Sequence, residues 1–439
     1  MQPPGPPAVT YHPWSLLPHV RRMGRDPTLE IGRRFARYGD LYQARFFGRD
    51  VFATRDAELV KQILITQADV FGKPREGIVV RQLKRLLGNG LLLSEGELWR
   101  RQRRLIQPAF RRERLLQYAE LVITLSEEFV RAQKDGAHLD VSRSMMELTL
   151  RIVAKALFDK DASADVARVA HATQVFRSGF AGLGALLPRW LPTARNRGNT
   201  RALADLDALI YALIDEHHGE GVVSALANGT GMERTLIRDE LITLLLAGHE
   251  TTSHALSWTF HLLARHPHVE SRVRAEAQAV FGERRPQASD LDKLVYTEQV
   301  LSEAMRLFPP AYVLARVANR DTELGGYAMA KGTDAIIWIY HVHHHPAYWP
   351  DPERFDPDRF APERKSALVE GAYLPFGLGT RTCIGKHFAL MEAKLVLACT
   401  LRELSFRDGT LKPVTRDLAV TLAPHGGLPM RVERTHSDT

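Results

Sequence analysis

The stretch from Pro375 to Gly385, reading Pro375, Phe376, Gly377, Leu378, Gly379, Thr380, Arg381, Thr382, Cys383, Ile384 and Gly385, gathers the means for one kind of chemistry. Glycines let a loop approach a partner closely, and Arg381 supplies a fixed cation. Cys383 stands at the front of an apolar-periodic helix whose dipole and free N–H groups favour a thiolate. A thiolate so placed is either a nucleophile or a metal ligand. The other cysteine, Cys399, falls mid-helix among Leu395, Leu397 and Leu401 and reads as packing. A second group, Ala247 to Thr252, sets Glu250 beside Thr251 inside an otherwise apolar run. A hydroxyl next to a carboxylate suits proton delivery, because each donates and accepts through one water. Trp99 and Arg103, four apart on one helical face, can both donate to a ligand carboxylate. Glu303 and Arg306, three apart, can pair with each other, and taken alone they read as an ion pair on a helix surface.

The elements that must position these groups follow from periodicity. The run from Leu236 to His266 is apolar nearly all round and spans about 45 Å as a helix, so it must cross a core. Gly and Thr in its middle cost helix stability, which marks a site there. A second helix is expected from Gly385 to Leu404, behind the cysteine. Residues 98–279 are mostly helical in pattern. Short β-like runs flank Gly48 and Asp50 as a hairpin, and residues 322–341 are strand-like. Residues 1–28, rich in Pro, read as an extended lead-in that is not helical. Residues 1–439 are expected to fold as a single unit, mainly α with a small β lobe.

Composition narrows the classes. With 45% hydrophobic and 25% charged residues, the 439-residue chain is neither disordered nor fibrous, and two cysteines exclude a disulfide scaffold and fit a reducing compartment, the cytoplasm. No apolar run reaches the roughly 20 residues of a membrane span. Gly379 to Lys386 imitates a phosphate loop, but its glycine spacing is one residue too long and His387 follows the Lys. His249 and His254, five apart, do not share the helical face that zinc ligands need. The run His341, His343, His344 and His345 lacks a spaced acidic or Cys partner for a metal.

The Cys383 segment resembles the haem-binding loop of the cytochrome P450 family, Phe-x-x-Gly-x-Arg-x-Cys-x-Gly, met at Phe376, Gly379, Arg381, Cys383 and Gly385. The resemblance runs in the family's order from the Trp99 helix to the Cys383 helix. It implies the P450 fold, with haem b between the long central helix and the Cys-loop helix and Cys383 as the axial thiolate of its iron, which favours O–O cleavage when O2 is the co-substrate. It implies that Trp99, Arg103, Arg316 and Arg381 bind the haem carboxylates, and that Thr251 and Glu250 serve oxygen and its protons. It also implies that Glu303, Arg306 and Arg359 form a structural network holding the thiolate loop.

By the same resemblance the pocket walls come from residues 71–93, 176–191 and 422–428 with Ala247, Val313 and Leu314. They are mainly apolar, which points to a fatty acid, terpenoid or steroid as the molecule that receives one oxygen atom. Fifty-six residues follow Cys383, too few for a flavin or iron–sulfur domain. Electrons are therefore expected from a separate ferredoxin or flavodoxin with its NAD(P)H reductase. The cluster of Arg100, Arg101, Arg104, Arg111, Arg112 and Arg114 is the expected dock for it. Nucleic acid is not expected, since no stacking platform accompanies the arginines. A haem-thiolate isomerase or dehydratase needing no external electrons, and a haem sensor, are the alternatives.

Overall fold

The computed structural model describes residues 2–6, 26–46, 49–158, 168–169, 172, 194–216, 221–227, 231–409 and 413–435. The sequence expectation for the pocket roof, residues 176–191, lies outside them.

The long apolar run forms one helix, Arg234–Arg265, whose side chains are buried on almost every side. A helix without a polar face can only be stable with neighbours all round it. It packs lengthwise on the helix Val141–Phe158, where Gly248 permits the approach: a Cβ there would lie 3.1 Å from Val153 Cγ2. Trp258 stacks on Phe308 with ring centroids 4.0 Å apart, and its indole N–H donates to the Leu422 carbonyl at 3.1 Å. The Cys-loop helix, Lys386–Glu403, lies against both the long helix and the helix Arg112–Ala132.

A five-stranded sheet sits beside this helical body, in the spatial order 41–46, 49–54, 334–337, 314–318, 71–72. The first two strands pair antiparallel as a hairpin requires, with Phe46 opposite Arg49. Strand 49–54 runs parallel to 334–337, and the remaining pairs are antiparallel.

Two expectations are corrected. The lead-in ends earlier than residue 28, since Pro27 opens the helix Pro27–Tyr38, with the Asp26 carboxylate accepting from the Thr28 N–H at 2.9 Å. Proline at the first helical position forfeits an N–H that would be unpaired anyway. The strand-like pattern to 341 also breaks early: strands occupy 322–324, 327–329 and 334–337, and Ile339–His343 is a helical turn. An apolar run shows no period of its own, so tertiary packing chose its form. No helix among the described residues is long and apolar enough to cross a membrane.

Candidate haem-thiolate site

Cys383 ends a loop with little freedom to move. Its N–H donates to the Phe376 carbonyl at 2.9 Å, while Thr382 closes on the Gly379 carbonyl through its N–H at 3.1 Å and its hydroxyl at 2.7 Å. Gly379 has φ +73°, and a Cβ on it would lie 2.1 Å from the Leu64 carbonyl oxygen, so no other residue fits. Cys383 is surrounded by protein, and the surface it leaves accessible faces the cavity that it lines. Burial pushes its thiol pKa up, opposed by the Gly385 N–H and by the charges of Arg103 and Lys386.

Across that cavity the long helix presents Ala247, Gly248, Thr251 and Thr252. The Thr251 hydroxyl donates to the Ala247 carbonyl at 2.8 Å, and that of Thr252 to the Gly248 carbonyl at 3.0 Å. Glu250 faces elsewhere. Its carboxylate accepts the Thr421 hydroxyl at 2.7 Å and lies 3.7 Å from His254 Nε2, and it is not among the residues that line the cavity. Successive positions of a helix are rotated by about 100°, which groups 247, 248, 251 and 252 on the side turned to the cavity and leaves Glu250 on the side turned away. Leu314 and Arg316 line the cavity, whereas Val313, expected there, packs against an aromatic cluster that contains Tyr312 and Trp338. Alternate residues entering the strand Leu314–Ala318 point to opposite faces, which puts Val313 on the wrong one.

One end of the cavity is cationic. Arg103 donates to the Thr382 carbonyl at 3.1 Å, and Arg381 donates to the Ser94 carbonyl at 2.9 Å and stands 3.6 Å from Glu95. The Arg381 guanidinium lies 4.4 Å from the centre of the Trp99 ring, and that of Arg103 5.7 Å. Arg316 is 5% exposed and bonds only to the Ala315 carbonyl, with no carboxylate partner among the described residues. Burial and the neighbouring Arg381 pull its pKa down to about 10. Lys73 lines the same end. A buried cation without a counter-charge is costly, so this cavity requires an anionic occupant. A sulfur on one wall and uncompensated cations at one end fit an iron-bearing ring with two carboxylates, which is haem.

Glu303, Arg306 and Arg359 do meet. The Arg306 guanidinium bonds both oxygens of Glu303 at 2.7 and 2.8 Å, and Arg359 Nε lies 3.4 Å from Glu303. Arg306 also donates to the carbonyls of His343, Pro352 and Arg354, so the network grips the segment 343–359 directly. Its link to the thiolate loop is a residue that sequence reasoning missed. His343 Nε2 accepts the Leu374 N–H at 2.9 Å, and the ring stacks on Tyr373, whose hydroxyl donates to the Ser302 carbonyl at 3.0 Å. The histidine run was its only signal, and the sequence offers that run only a metal reading, which fails for want of an acidic or Cys partner. Lys73 was missed too, because a single Lys after a two-residue strand carries no periodicity.

A profile of the family described as Cytochrome P450 matches residues 3–428. The chain is 40% identical over 401 residues to cyclooctatin synthase of Streptomyces melanosporofaciens, covering 87% of this chain and 86% of that protein. It is 36% identical over 402 residues to cyclooctat-9-en-7-ol 5-monooxygenase of the same organism, again covering 87% and 86%. Identity to pentalenene oxygenase of Streptomyces avermitilis is 33% over 429 residues, covering 94% of this chain and 93% of that protein. With this match over nearly its whole length, and a cysteine facing a cavity that ends in unpaired cations, the chain belongs to the cytochrome P450 family of haem-thiolate monooxygenases, which take O2 as co-substrate.

Proposed function

We propose that this P450 hydroxylates a neutral cyclic terpenoid, acting as one unit over residues 1–439 in the cytoplasm with electrons from a separate ferredoxin or flavodoxin and its reductase. The observation that carries the substrate reading is the distribution of charge in the cavity. Among the described residues, its charged side chains are Lys73, Arg103, Arg316 and Arg381, all at the carboxylate end, and the rest of the wall is apolar apart from the Thr hydroxyls. A wall without charge offers a free acid no anchor, and it favours a hydrocarbon skeleton held by shape. The names of the bacterial relatives, cyclooctat-9-en-7-ol 5-monooxygenase and pentalenene oxygenase, support a terpenoid over a fatty acid or steroid and disfavour isomerase and sensor readings.

Cys383 would hold the iron, and Trp99, Arg103, Arg316 and Arg381 the two carboxylates, with Phe376 against the ring. Haem bound there supplies the chemistry that reduces O2 with two electrons, places one oxygen atom in the substrate and releases the other as water. The chain's own part is geometric and protic. Thr251 holds a hydroxyl at the cavity surface, tethered to the Ala247 carbonyl, and can accept a hydrogen bond while it donates. Glu250 reaches the cavity only by releasing Thr421, so proton supply from it requires a rotamer change or an intervening water. Ala247 and Leu314 limit how the substrate lies. The apolar walls exclude bulk water during turnover.

The test is a binding titration of purified protein that followed the Soret band with bicyclic and tricyclic terpene hydrocarbons, their monohydroxylated forms, free fatty acids and steroids. Terpenoids are expected to shift the band at micromolar concentration, and a response to fatty acids alone would overturn the substrate reading. The reduced carbon monoxide complex of the same preparation should show the strongly red-shifted thiolate band, and Cys383→Ala should lose it.

A further inference from the structure

Lys73 has no role in the reading above, and its position in the sheet demands one. The edge strand Phe71–Gly72 pairs antiparallel with Leu314–Ala318, Phe71 opposite Ala318 and Gly72 opposite Val317. Continuing that register by one residue sets Lys73 opposite Arg316. Like charges opposite one another on a sheet repel, and here Arg316 is buried and Lys73 half-buried. The approach is enforced by Gly72, where a Cβ would lie 2.6 Å from Asn319 Nδ2 and 2.9 Å from Glu95 Oε1. Gly72 thereby lets the Lys73 N–H close on the Glu95 carboxylate. The ammonium itself gains nothing from this contact. Among the described residues it has neither a hydrogen-bond nor an ion-pair partner, and it lines the same cavity end as Arg316 and Arg381. Burial and the charges of Arg316 and Arg381 pull its pKa down to about 7. Among the described residues, Glu95, shared with Arg75 and Arg381, is the only carboxylate that pairs with any of these cations, and no acidic side chain lines the cavity.

We propose that Lys73 is a fourth cation of the haem carboxylate site and donates to a propionate alongside Arg316. An anion between the two side chains turns a repulsive pair into a clamp, and the sheet register holds the clamp at fixed width. The inference rests on the haem cofactor and is independent of the substrate reading.

The experiment compares wild-type holoenzyme with Lys73→Met, Lys73→Arg and the exposed-lysine control Lys331→Met. Two quantities are measured: the rate of haem transfer to excess apomyoglobin, and the reduction potential. Lys73→Met is expected to lose haem about ten-fold faster and to shift the potential negative, because a charge-assisted hydrogen bond and a nearby positive charge are gone. Lys73→Arg should recover most of both, and Lys331→Met should match wild type. Should Lys73→Met fail to fold, Lys73→Gln, one atom shorter and still polar, deletes the same charge. Haem loss and potential equal to wild type in the neutral variants would overturn the proposal while leaving the terpenoid titration untouched.

Discussion

Cys383 is held at three points that the sequence does not connect: Gly379 seated on the Leu64 carbonyl, the Thr382 carbonyl bound by Arg103, and the Leu374 N–H bound by His343. The last is the one that ties the thiolate loop to the Glu303–Arg306 pair, through the His343 carbonyl that Arg306 also holds. Burial drives the His343 pKa well below its usual value, so the ring is neutral and its Nε2 is an acceptor at any physiological pH. Replacing it with Phe retains the stacking on Tyr373 but leaves a buried N–H without a partner, at a cost of about 1–3 kcal/mol. His343→Phe is therefore expected to lower the unfolding free energy by that amount, seen as a lower denaturation midpoint, and to hasten conversion of the red-shifted carbon monoxide band to the form lacking thiolate. His343→Gln, which can again accept from Leu374, should restore the band's lifetime. A Phe variant with an unchanged band lifetime would remove His343 from any positioning role.

At the scale of elements, the loop that carries Leu91 and Leu92 into the cavity is stitched to the long helix. The Leu91 N–H donates to Glu240 at 3.0 Å, the Asn89 N–H to Asp239 at 2.8 Å, and Arg238 to the Leu86 carbonyl at 2.9 Å. Glu240 is 0% exposed, and burial is the main cause that raises its pKa from 4.5 to about 7. The folded protein thus holds a proton there that the unfolded chain releases above 4.5. Its contribution to stability is complete below about 4.5 and is lost as pH rises through about 7. The full span corresponds to at most about 3 kcal/mol. Glu240→Gln keeps an acceptor for Leu91 and cannot ionise. Denaturant midpoints at pH 5 and pH 8 should show the variant gaining on wild type at the higher pH. A gain at pH 5 instead would reverse the sign of the argument.

For the whole molecule, the distribution of charge decides what the surface does. Arg103 turns inward to the Thr382 carbonyl, while Arg104, Arg111 and Arg112 on the same stretch are exposed near the Cys-loop helix, against which Phe110 packs through Phe388. An acidic electron carrier docking there would feel them over roughly a Debye length. Arg104→Glu combined with Arg111→Glu should slow reduction by an acidic ferredoxin about ten-fold at low ionic strength, with the difference shrinking at high salt and the carbon monoxide spectrum unchanged. Equal reduction rates at low salt would move the dock elsewhere on the surface.

The sequence by itself determined what depends on residue type and short spacing. The all-round apolar run could only be a core-crossing helix, and the glycines, Arg381 and Cys383 in one loop could only serve a close approach to a ligand. Trp99 and Arg103 shared a face because a spacing of four residues is only slightly more than one helical turn. Tertiary structure alone decided matters of direction and long-range pairing. Glu250 and Thr251 are neighbours in sequence, but the helix rotates one toward Thr421 and the other toward the cavity. Val313 and Leu314 part company because a strand alternates. The segment before His343 became a helical turn since its pattern allowed either form. Lys73 comes within reach of the Arg316 charge across 243 residues of chain because the pairing of strands 71–72 and 314–318 brings them there, and that pairing is written in neither strand's own sequence.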